Sequence, residues 1–160
     1  MSKKVESGTE EVKGMRSSVL VGRFEHALDP KKRFTIPSEW RYALGDPDYV
    51  YVMPDPIEHC LDLIPAVEME SKLEKLREKA LFDPQYAAAL QTIGANSDQL
   101  VLDSQGLIRV SDRLLRFANL TTTVAMLGSV RTIKLYEPKS APPEKLDQSS
   151  LGEALKLVGF

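Results

Sequence analysis

An ordered internal echo constrains this 160-residue chain more than any other feature. Leu28-Asp29, three residues and Arg33 return as Leu102-Asp103-Ser104-Gln105-Gly106-Leu107, and Thr35-Ile36-Pro37 returns as Arg109-Val110-Ser111. Residues 49–53 match 123–127, and Leu61-Asp62-Leu63-Ile64 matches Ile133-Lys134-Leu135-Tyr136. The offset is 74 residues at the start and 72 at the end, a difference that one loop absorbs. A single shared turn arises easily by chance, whereas an ordered series indicates a repeated strand–turn–strand–helix–strand–strand unit. Neither copy is long enough to bury a core alone. The two are expected to pack about a pseudo-twofold axis into one α+β, barrel-like core.

Local chemistry sets the elements within this frame. Asp29-Pro30-Lys31-Lys32 has turn residues, because proline fixes φ and the aspartate can accept from the following backbone. Residues 33–36 read as the return strand, stopped by Pro37, with Ser38 as N-cap of a short helix that ends at Gly45. Asn119 takes the place of that glycine in the second copy, where Ser111 or Asp112 is the cap. Between the copies, Met69, Leu73, Leu76 and Ala80 form one helical stripe. Asp83-Pro84 starts a second helix, with Tyr86, Ala89, Leu90 and Ile93 on its apolar side and Gly94 as its end. The expected organisation is a leader at 1–16, a first repeat at 17–65 and a helical hairpin at 66–94. A second repeat at 95–137 and a Pro-containing tail at 138–160 complete it. The tail is expected to be extended, with Leu151, Leu155 and Val158 giving one or two helical turns at most because Gly152 and Gly159 interrupt them.

Enzyme chemistry finds little support. His59 and Cys60 are adjacent on an expected strand and point to opposite faces, so they cannot readily share a ligand or a proton. No second cysteine and no HxxxH spacing completes a metal site, and phosphate-cradling glycine loops and nucleophile elbows are missing. No cofactor, metal or small-molecule substrate is therefore expected. No apolar run approaches the roughly 20 residues of a membrane helix. The single cysteine suits a reducing compartment.

Charge is informative by segment. The formal total of −2 offers no basic signature. Residues 23–45, however, hold five basic and three acidic residues, and so do residues 98–136; residues 46–65 hold five acidic and none basic. Lys31-Lys32-Arg33 on an exposed turn can contact phosphates, and an arginine at a ribbon edge can read guanine in a major groove. Candidate DNA contacts are Lys31, Lys32, Arg33, Arg41, Arg109 and Arg113, with Asp29, Asp103 and Gly106 shaping the turns.

The string from Gly22-Arg23-Phe24-Glu25-His26 through Asp29-Pro30-Lys31-Lys32-Arg33 to Ile36-Pro37, followed by Arg41 and Leu44, resembles the first repeat of the MraZ family of bacterial transcription regulators. Cys60-Leu61-Asp62-Leu63-Ile64-Pro65 resembles that family's next strand, and Leu102-Asp103-Ser104-Gln105-Gly106 the start of its second repeat. The resemblance implies a double AbrB-like, swapped-hairpin fold and ring-shaped homo-oligomers in the cytoplasm, associated with the nucleoid. It also implies binding to direct repeats in promoter DNA of the division and cell-wall gene cluster. Asp29 and Arg33 fill the family's first motif. Lys32 stands where the family has glycine, Leu107 where the second motif has arginine, and Val110-Ser111 where it has Ile-Pro. DNA binding is therefore expected mainly through the first repeat. The alternative is a ring-forming scaffold that has lost DNA binding.

Overall fold

The computed structural model describes residues 19–160; the expected leader at 1–16 lies outside them. Eight strands are described: β1 (Arg23–Ala27), β2 (Arg33–Thr35), β3 (Tyr49–Asp55), β4 (Cys60–Pro65), β5 (Asp98–Val101), β6 (Leu107–Arg109), β7 (Thr123–Gly128) and β8 (Ile133–Tyr136). Five helices accompany them: α1 (Ser38–Ala43), α2 (Ala66–Ala80), α3 (Pro84–Asn96), α4 (Asp112–Phe117) and α5 (Gln148–Val158). The fold is α+β. The described strands form a six-stranded antiparallel sheet, ordered β1-β7-β8-β4-β3-β5, and a separate β2-β6 ribbon; they do not close into the expected barrel.

The pairing corrects a second expectation. β1 and β2 flank the Asp29 turn without pairing with each other: β1 pairs with β7, and β2 with β6. The registers repeat at the sequence offset. Phe24 faces Met126 on β1-β7, and 74 residues on Asp98 faces Val52 on β5-β3. Phe34 faces Ile108 in the ribbon, and Asp62 faces Lys134 between β4 and β8. Each of those two central pairs joins a residue to its own counterpart in the echo. Phe34, Ile36, Leu61, Leu63, Ile108 and Leu135 are among the buried side chains of one core shared by both halves. Trp40 closes its edge, stacking edge-on to Phe24 at 4.8 Å between ring centroids and donating Nε1–H to the Val21 carbonyl at 2.7 Å.

The helices follow the expected signals with local differences. Ser38 is the first residue of α1, and Pro37, which has no hydroxyl to offer, holds the N-cap position. Asp83 caps α3 by accepting from Gln85 N–H, as its place before Pro84 predicts. α3 runs past Gly94 to Asn96. α2 packs on β3 and β4 through buried Met69 and half-buried Leu73 and Leu76. Tyr49 and Tyr51 hydroxyls both donate to Glu70, at 2.7 and 3.0 Å, and fasten the helix to the sheet. On α3 only Leu90 and Ile93 of the expected side are half-buried, while Tyr86 and Ala89 are exposed. The tail differs most: α5 spans eleven residues, although none of its side chains is buried. Asp147 caps it through Ser149 and Ser150, and this local bonding tolerates the internal Gly152.

Candidate nucleic-acid interface

Two loops of the same construction lead into the ribbon. In the first, Asp29 Oδ1 accepts from the Lys31 and Arg33 amides at 2.9 and 2.8 Å. In the second, Asp103 Oδ1 accepts from the Gln105 and Leu107 amides at 2.8 and 2.9 Å. Lys32 N–H bonds the Asp29 carbonyl, and Gly106 N–H bonds that of Asp103. The residue before each return strand has positive φ, 62° at Lys32 and 81° at Gly106. The amide of Arg33 and that of Leu107 hold their respective aspartates below the ordinary carboxylate range, against the opposing effect of desolvation.

The side chains differ sharply. Arg33 Nε donates to Asp29 Oδ2 at 2.7 Å, which fixes the direction of the guanidinium. Arg109 lies opposite Arg33 in the ribbon and donates Nε–H to the Lys31 carbonyl at 3.2 Å. Like charges placed opposite each other are unfavourable. Here each has its own counter-group: Asp29 for Arg33, and Asp112 for Arg109 at 3.6 Å. Lys32 Nζ also reaches Asp112, at 3.4 Å. Pro30, Lys31, Lys32, Arg33, Arg109 and Asp112 line one open concavity of about 320 Å³. Lys31, Lys32, Arg33 and Arg109 are thus brought together.

Arg41 and Arg113 are not part of that group. Arg41 lies over the second turn, where a Cβ on Gly106 would come within 2.6 Å of its Cδ, and it shares a concavity of about 250 Å³ with Asp46, Asp48 and Asp103. Gly106 therefore serves twice, for its backbone conformation and for the close approach of Arg41. Arg113 Nη2 turns to Asp98 Oδ1 at 3.3 Å and the Asn96 carbonyl at 3.5 Å. The even distribution of charge over the two repeats is consequently redistributed. β6 carries Arg109 across to the first turn, and the second turn is left mainly acidic.

Sequence reasoning missed two arrangements. Asp112 reads as a capping residue, and only the crossing of β2 and β6 brings it to the basic turn. Asp55, Cys60 and Asp62 place ligand-type atoms within 4.8 Å of one another. Lys134 Nζ lies between the carboxylates, 2.9 Å from Asp55 and 2.8 Å from Asp62, and its ammonium takes the place a cation would need. Burial disfavours the charged ammonium, but hydrogen bonds to both aspartates outweigh it and raise its pKa. Burial pushes the Cys60 thiol up to about 11, so it stays protonated at neutral pH.

The arrangement defines an α+β chain of two register-matched halves that presents one strongly basic turn. No protein-family model matches it. It is 31% identical over 123 residues to the transcriptional regulator MraZ of Mycolicibacterium gilvum, covering 76% of this chain and 83% of the relative. It is 28% identical to that of Caldicellulosiruptor saccharolyticus, covering 82% and 90% of the two chains, and 24% identical to that of Clostridium acetobutylicum, covering 89% and 100%. The chain belongs to the MraZ family.

Proposed function

We propose that this protein is a DNA-binding transcriptional regulator that contacts duplex DNA mainly through its first turn. The observation that carries the reading is the convergence of Lys31, Lys32, Arg33 and Arg109, drawn from both repeats, on one exposed ribbon end. Lysines there act as point charges on phosphates, while Arg33, oriented by Asp29, is suited to a bidentate base contact. The names of the relatives support regulation of transcription.

The matched exchange of strands, β1 with β7 and β5 with β3, supports a swapped-hairpin architecture of two AbrB-like repeats, 17–65 and 95–137, joined by a hairpin at 66–94. One turn offers few phosphate contacts and binds weakly. A ring of copies, each presenting its turn to direct repeats upstream of a division and cell-wall gene cluster, gains avidity by effective concentration. The protein acts on the nucleoid in the cytoplasm, without catalysis. Genome-wide mapping of bound DNA with Arg33→Ala as control tests this reading. Peaks on repeated promoter motifs that vanish in the variant support it. A protein that leaves no DNA footprint is instead a ring-forming scaffold.

A further inference from the structure

We infer that Asp112 is an intramolecular stand-in for a DNA phosphate, competing with duplex DNA for Lys32 and Arg109. The inference rests on the DNA-binding reading above. One carboxylate oxygen, Asp112 Oδ1, lies 3.4 Å from Lys32 Nζ and 3.6 Å from Arg109 Nη2, bridging cations contributed by the two repeats. A phosphate oxygen brought to the same place would face the same two cations. All three side chains are about half exposed, so the pairs are screened by solvent and readily exchanged. At the 74-residue offset, the position that corresponds to Asp112 in the first repeat is the neutral Ser38. Among the described residues no other acidic side chain lines the concavity, and Asp29, at the base of the turn, is taken up by Arg33 and two amides.

DNA that engages Lys32 and Arg109 must therefore displace Asp112, and each phosphate contact those two side chains make is at the expense of an internal one. The effect lowers affinity for any duplex, because phosphates are common to all sequences. A single turn then holds DNA poorly, and stable binding depends on base contacts by Arg33 or on several turns engaging together.

The test titrates a fluorescently labelled random-sequence duplex with the full chain between about 50 and 200 mM salt. Asp112→Asn should tighten binding about three- to tenfold at the low-salt end and steepen the log–log salt dependence by about one. Asp112→Ser, which also keeps an oxygen at the start of α4, should move both quantities the same way, so that a folding defect in one variant does not decide the matter. Glu153→Gln on exposed α5 makes the same change in net charge and should stay near wild type. Asp112 variants at wild-type affinity and slope, or a Glu153→Gln gain as large as theirs, overturn the inference. Lys32→Ala and Arg109→Ala separate this from the underlying reading. If they weaken binding while the Asp112 variants change nothing, only the competitor role falls. If they too bind as wild type, DNA binding by this turn falls with it.

Discussion

Lys32 holds a backbone conformation that L-residues adopt at some cost, at the position that Gly106 fills in the second turn. Lys32→Gly should relieve the strain, up to about 1 kcal/mol in the folded state, partly offset by the larger freedom of glycine in the unfolded chain. It should also remove one phosphate contact. The expected result is an equal or slightly higher melting temperature together with weaker, less salt-dependent DNA binding. A lysine kept there for stability alone would leave binding unchanged. Asp29 and Asp103 both have depressed carboxyl pKa values in the folded protein. Their contribution is present above the ordinary aspartate range and is lost as pH falls through the lower folded values. Below about pH 4 both turns should therefore loosen, with faster amide exchange at Arg33 and Leu107 than at the core strands. Asp29→Ala should reproduce the loosening at Arg33 at neutral pH and leave Leu107 protected.

At the scale of elements, β4 and β8 meet at Asp62 and Lys134, and Asp55 joins from β3. Lys134→Met would leave two carboxylates side by side, each mostly out of solvent, and should destabilise the protein by about 2–4 kcal/mol in denaturant titration. Adding Asp55→Asn and Asp62→Asn to that variant should restore much of the loss. Most elements were legible in the sequence because their signals are local: Asp83 before Pro84, the stripe of Met69, Leu73 and Leu76, and positive-φ Asn119 in the place of Gly45. The partners of the strands were not. The turn at Asp29 suggests a hairpin, yet β1 and β2 each pair with a strand of the other repeat. Helix α5 was underestimated because its glycines lower intrinsic propensity, whereas the Asp147 cap and the αL Gly159 set both ends.

At the scale of the whole molecule, the core belongs to neither half. Phe34 and Ile108 face each other, and both are essentially fully buried. A fragment of residues 17–65 loses the partners of β1 and β2 and should be unfolded by circular dichroism. Mixing it with residues 95–137 should recover strand structure if the crossed pairing is the source of stability. The same crossing explains why the site was only partly legible. Lys31, Lys32 and Arg33 stand together in the sequence, but Arg109 reaches them through the ribbon, and Arg41 and Arg113 are drawn off by Gly106 and Asp98. Net charge counted along the chain cannot distinguish these fates.

The most direct measurement is a titration of promoter DNA from the protein's own upstream region with wild type, Arg33→Ala, Arg109→Ala and Leu107→Ala at one fixed salt concentration. Arg33→Ala should cost about 1–3 kcal/mol of specific binding. Arg109→Ala should weaken operator and random duplex alike, and Leu107→Ala should remain at wild-type affinity. A loss at Leu107→Ala equal to or greater than that at Arg33→Ala would contradict the assignment of DNA binding to the first turn.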